Sequence, residues 1–259
     1  MPNPSIFTPV INSYLPEPHA SLLNGIIFGI PLKTNPLFNQ KLRIVGLLHL
    51  VVLSGMNITM LAAIIGSLTK FLPKKMSLYV TIACIVCFVL FVGIQAPVLR
   101  AAIMGIIGLL AIIYGRKNTA LYALFLSFVF FLIFWPESIT TISFQLSFGA
   151  TLGIILFGNT KSKSSPVWQE LKPSLAAQLF TTPIIFGYFQ QISFIAPVAN
   201  LLAAFIIAPI MVFGFLTALL GKINFLLGAI PAAICYVLLS YLVLIIDVLS
   251  KIPFAYVKF

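Results

Sequence analysis

HLVVLSGMNITM, residues 49–60, lies within an apolar run from 43 to 69 and yet sets His49, Ser54 and Asn57 among Leu, Val and Ile. The run is long enough to cross a bilayer, which takes about 20 predominantly apolar residues per helix. Polar side chains at that depth are expensive unless they face water, protein or one another. On a continuous helix Asn57 falls about 80° and Ser54 about 140° from His49, so the three share one arc. Gly55, directly after Ser54, also offers a place for the helix to break, which membrane segments tolerate where they line water or protein.

The rest of the chain has the same character. Of 259 residues, 61% are hydrophobic and only 7% charged, which excludes an ordinary water-soluble domain. Further apolar runs at 19–31, 77–95, 97–114, 119–135, 139–158, 174–190, 195–220 and 226–250 predict an all-α fold. It reads as a polytopic transmembrane helical bundle of about eight or nine membrane segments, with broken or re-entrant helices. The 19–31 run is short for a span and reads as interfacial or re-entrant. Residues 1–18, MPNPSIFTPVINSYLPEP, hold no Lys or Arg and so lack the basic start of a cleavable signal peptide. They are expected to form a polar, extended lead into one transmembrane domain over residues 19–259.

Charge sets the orientation. The net charge of +11 does not by itself point to nucleic acid, because membrane proteins collect Lys and Arg on the cytoplasmic side. Lys70, Lys74, Lys75, Arg116, Lys117, Lys161, Lys163, Lys172 and Lys222 fall in alternate connections, while GIQAP, WPESIT and FQQIS carry no cation. The basic connections are therefore placed inside. Lys33, Lys41, Arg43, Lys251 and Lys258 lie toward the two ends and leave the termini unassigned. Cys84, Cys87 and Cys235 all sit in apolar runs, which argues for packing rather than disulfides or a thiolate metal site.

More polar groups interrupt the apolar runs. Arg100 follows Pro97, a residue suited to the first turn of a helix. It is placed either to snorkel to the outer interface or to line a path or clamp helices, and its guanidinium suits phosphate. Gln145, Ser147, Gln178 and Asn200 put further hydrogen-bonding groups into three other runs, where such groups serve as interhelical glue. Asp247 has Lys251 one turn on as an expected partner. Small pairs Gly25/Gly29, Ala101/Gly105 and Gly149/Gly153 read as sites of close helix packing.

A Ser54–His49 nucleophile is weighed and set aside, since the two point about 140° apart on a regular helix. No candidate catalytic carboxylate pair, phosphate loop or metal-ligand cluster appears. The expectation is a protein that is not an enzyme, with no catalytic residue, metal or cofactor. A small-solute or ion transporter is the alternative reading, weakened by the scarcity of buried acids.

Several stretches then carry a resemblance. HLVVLSGMNITMLAAIIG resembles the H-L-x-x-x-S-G-x-[HN] signature of the ComEC/Rec2-type competence protein family. LPEPHASLLNGIIFGIP, GIQAPVLRAAIMG, FWPESITTISFQLSFGATLGIILFG and SLAAQLFTTPIIFGYFQQISFIAPVANLLAAFIIAPI resemble its other blocks in the same order, over roughly residues 15–220. Asn57 stands where many relatives have His, and Ala96 where Ser often precedes the Pro. The resemblance implies an inner-membrane, multi-pass channel that carries a single strand of transforming DNA into the cytoplasm. His49, Ser54, Gly55, Asn57, Arg100, Gln145, Ser147, Gln178, Pro183 and Asn200 occupy its motif positions, as pore-lining or family-motif residues. Implied partners are single-stranded DNA, membrane lipid, a separate nuclease, a DNA-receptor protein, a cytoplasmic motor and a second copy in a homodimer. The OB-like and metallo-β-lactamase-like domains of longer relatives are not expected within these residues, nor is nuclease activity.

Overall fold

The computed structural model describes residues 4–48, 55–117, 119–159, 165–252 and 256–258. The chain is built from helices α1 (Thr8–Tyr14), α2 (His19–Phe28), α3 (Pro36–Val45), α4 (Gly55–Leu68), α5 (Lys74–Val92), α6 (Ala96–Ile113), α7 (Ala120–Phe134), α8 (Ile142–Phe157) and α9 (Pro166–Phe189), then α10 (Ala196–Ile223) and α11 (Phe225–Leu249). A short strand β1 (Gln191–Ser193) pairs antiparallel with β2 (Tyr256–Lys258), Ile192 opposite Val257. The helical reading holds. The strand pair was not legible, because three residues are too few to show a two-residue period. Four helices, α5, α6, α10 and α11, are long and apolar enough to cross a membrane.

Two compact units divide the chain. The first gathers Ser54–Lys161 and Leu175–Tyr188, with α4, α5 and α6 packed on one another and α7 and α8 packed on α6. Short links between packed neighbours make α4–α5 and α5–α6 antiparallel, which brings Lys70, Lys74, Lys75, Arg116 and Lys117 to one end. At the other end lies Glu137, in the 3-10 turn Pro136–Thr140. Thr141 caps α8 by accepting the Phe144 N–H at 3.3 Å. Phe144 and Phe148, one turn apart, stack at 4.1 Å, and Phe131 of α7 meets Phe144 edge-on at 5.1 Å. Such rings add to their burial about 0.5–1.5 kcal/mol per pair.

Small residues set the approach of α8 to α9. A Cβ built on Gly153 would meet the Ala176 carbonyl oxygen and lie 2.8 Å from the Phe180 ring, and one on Gly149 would lie 3.3 Å from Ile184. The packing role expected for this pair is what the structure shows. Gly105 differs: a Cβ there finds only Ile58, at an ordinary 3.9 Å.

The second unit holds Asn3–Leu53, Ser162–Ser174 and Phe189–Phe259. Its frame is the hairpin of α10 and α11, turned at Asn224, whose side chain caps α11 by accepting the Leu226 N–H at 2.9 Å. Against it sits α2, buried from Ala20 to Phe28, with Leu23 and Ile27 filling the space left by Gly214. Ten residues rise about 15 Å, too little to span, and burial on every face suits a re-entrant helix rather than an interfacial one. Gly29 is not a packing partner of Gly25: it ends α2 in the left-handed conformation, φ 66°.

Residues 4–18 depart from the extended lead expected of residues 1–18. Pro9 opens α1, Ile11 is buried, and the Tyr14 hydroxyl donates to the Phe225 carbonyl at 2.7 Å while its ring stacks on Phe225. Apolar side chains facing α2 and α10 outweigh the prolines. The apolar run from 43 is likewise interrupted, because Gly46, φ 76°, ends α3 with Ala196 so close that a Cβ would sit 2.6 Å away. Ser193 of β1 donates to the Ile44 carbonyl at 2.7 Å, tying strand to helix. Asp247 does not turn to Lys251; it receives Lys41 of α3 at 2.7 Å, since a partner on another helix reaches it without bending back along its own. Finally α9 begins at Pro166, eight residues before the apolar run from 174, because Ser165 caps it through the Trp168 N–H at 3.3 Å.

Gly153→Ala should destabilise the protein by about 1–3 kcal/mol, the range for overpacking against a surface that cannot yield, whereas Gly105→Ala should be neutral or slightly stabilising. Thermal unfolding of both variants in detergent checks the contrast.

Candidate polar site

Seven of the expected residues fall in the first unit: Gly55 and Asn57 on α4, Arg100 on α6, Gln145 and Ser147 on α8, Gln178 and Pro183 on α9. Asn200, on α10, belongs to the second. His49 and Ser54 lie outside the described residues, and so does the arc they were expected to share with Asn57.

Arg100 and Gly55 come together. A Cβ built on Gly55 would lie 2.5 Å from Nη2 of Arg100 and 3.1 Å from Cβ of Ala101. The guanidinium thus occupies the volume a side chain at 55 would claim. It is held one turn into α6, about 6 Å from the first residue at 1.5 Å per residue, at the end of the unit opposite the five basic residues. Its Nε is sealed from solvent without a hydrogen-bond partner among the described residues. Asn57, two residues along α4, is 3% exposed.

The other amides divide by role. Asn200 donates through Nδ2 to the Ser174 hydroxyl at 3.2 Å, a link from α10 to α9, so interhelical glue describes it; its Oδ1 is buried and unmatched among the described residues. Gln145 closes a local contact instead, Nε2 to the Thr140 carbonyl at a long 3.5 Å. Ser147 keeps a buried hydroxyl without a partner among the described residues, while its carbonyl accepts from Thr151 at 2.9 Å. Pro183 is exposed inside α9, which runs through it unbroken; Thr181 donates to the Ala177 carbonyl at 3.1 Å. Unmatched polar atoms are rare inside folded proteins, and three of the six here belong to residues singled out from the sequence.

Sequence reasoning missed His19. At the start of α2 its Nε2 lies 3.0 Å from the Ser240 hydroxyl, its ring stacks on Tyr236 at 4.8 Å, and Nδ1 is buried and unpartnered among the described residues. Only the polar residue heading an apolar run signalled it. Among the described residues no three His, Cys, Asp or Glu side chains are grouped to hold a metal ion.

Comparison with known proteins places these residues in a wider set. A family model described as competence protein matches residues 26–259. ComE operon protein 3 of Bacillus subtilis (strain 168) is 26% identical over 201 residues, covering 74% of this chain and 25% of its own. An uncharacterized protein of Aquifex aeolicus (strain VF5) is 29% identical over 187 residues, covering 70% of this chain and 41% of its own. The chain therefore spans well under half the length of either relative. No solved structure matches.

Proposed function

The chain belongs to the competence protein family, and from that premise we propose that it forms the channel in the cytoplasmic membrane through which one strand of transforming DNA passes inward. In this reading α4, α7 and α8 join the four long helices and the buried α2 to give the eight or nine membrane segments expected from hydropathy. The basic ends, Lys70 to Lys75 and Arg116 to Lys117, lie in the cytoplasm.

The observation that supports this most is Arg100. A guanidinium cannot shed its charge, and one held within a helix apolar enough to span is costly unless it serves a polar route. A path for a polyanion needs dipoles and few cations, because each neutralised phosphate adds salt-dependent affinity and a dense Lys/Arg lining would trap the strand. Asn57, Gln145, Ser147 and Gln178 supply dipoles and Arg100 a lone charge near the outer mouth. The chain performs no hydrolysis itself in this scheme; a separate nuclease removes the other strand, a receptor delivers the duplex and a motor draws the strand inward.

In a transformable host, deleting the gene should leave labelled double-stranded DNA bound at the surface and abolish the nuclease-protected fraction, with electroporation unaffected. Single cysteines at 57, 100 and 147 should react with water-borne thiol reagents while Leu90→Cys, on an exposed face of α5, should not. Unchanged uptake in the deletion would favour transport of a small solute, and unreactive cysteines would remove these residues from the path.

A further inference from the structure

The notch at Gly55 has a consequence that neither residue's motif assigns. We propose that Gly55 and Arg100 form one phosphate-binding element, in which the missing side chain at 55 fixes the guanidinium so that its tip engages the backbone of the passing strand one phosphodiester at a time. This rests on the channel reading and adds to it a site, a ligand chemistry and a positioning residue.

Three observations carry it. The first is space: a Cβ at 55 would stand 2.5 Å from Nη2, so the flexible tip of Arg100 would have to leave its place, and 3.1 Å from the Ala101 methyl, a tight contact. Arg100 is a neighbour on α6 and Ala101 closes the far side, so the notch is shaped by α4 and α6 together.

The second is charge. The first unit contains one acidic residue, Glu137, exposed in its turn, and the ion pair among the described residues is Lys41–Asp247 in the other unit. Arg100 thus has no carboxylate counter-ion among the described residues. A partly buried cation without a counter-ion is what a site for a transient anion requires, since a resident carboxylate would have to be displaced by every phosphate.

The third is chemistry. Nε is sealed and unpartnered among the described residues while the residue as a whole is only partly buried, and a guanidinium presents parallel N–H groups that match two oxygens of a phosphate. A lysine in the same notch would offer a point charge on a flexible stem instead. A single such contact also suits passage: binding that is multi-site and weak lets a charged ligand leave as well as arrive.

The test uses the full chain in lipid nanodiscs and a fluorescent dT oligonucleotide, with affinity followed against salt. Each phosphate neutralised on a single strand contributes about 0.7 to the slope of log K against log salt. Arg100→Gln should lower that slope by roughly this amount, and Gly55→Ala should lower it by a similar amount although it removes no charge. The double variant should match Arg100→Gln alone, because the glycine acts through the arginine. Arg100→Lys should keep part of the slope and lose affinity several-fold. If the oligonucleotide binds the wild type but the slope is unchanged in Arg100→Gln, or if Gly55→Ala costs as much in the Arg100→Gln background as alone, the element is refuted and the channel reading stands. If the wild type does not bind the oligonucleotide at all, both fall.

Discussion

Helices surrounded by lipid gain no hydrophobic energy by leaving it for one another, so their association rests on close packing and on hydrogen bonds. That constraint organises both units here. Where α8 meets α9, the backbone of Gly153 approaches the Ala176 carbonyl; where α10 meets α2, Gly214 receives Leu23 and Ile27; and Gly221 and Gly228, flanking the α10–α11 turn, make room for Tyr14. Each contact is shaped by a missing Cβ. Other large side chains are turned outward: Leu90, Ile133, Leu179 and Phe205 are all exposed, as residues that meet lipid should be.

Within that frame the polar groups fall into two kinds. Thr69, Thr81, Thr151, Thr181, Thr217 and Ser240 donate to the carbonyl four residues back, which satisfies the hydroxyl proton locally. Arg100, Ser147 and Asn200 retain buried atoms unmatched among the described residues. The first kind costs little in an apolar setting. The second is tolerated only where some other gain offsets it, and those residues lie within the span, 26–259, that matches the competence family model.

Hydropathy made the helical class and most helix positions legible, because α5, α6, α10 and α11 are continuous apolar runs bounded by Pro, Gly or charge. It failed where the deciding signal was a single residue. Gly46 ends α3 inside what reads as one run, and Ser165–Pro166 starts α9 in a polar stretch that no hydropathy window marks. The Lys41–Asp247 pair joins residues 206 apart in sequence, which local spacing cannot reveal. The same limit applies to the site. Arg100 stands out as a charge in an apolar run, and Gly55 as a break or a motif position, but nothing in either stretch says that one occupies the space vacated by the other.

Glycine at 55 is then better understood as a requirement of α6 than of α4. A helix break would demand a backbone conformation that only glycine adopts readily, whereas Gly55 lies in helical conformation at the start of the described α4 and is absent from the positive-φ glycines, which are Gly29, Gly46, Gly93 and Gly115. Its freedom of backbone angle is unused there; its lack of volume is what the neighbouring guanidinium exploits. A helix break at Gly55 and a notch at Gly55 make different demands, since alanine would be opposed by torsion in the first and in the second would have to displace the flexible tip of Arg100. Shortening residue 100 would relieve only the second, so the position is coupled to the arginine and not to the local path of its own chain.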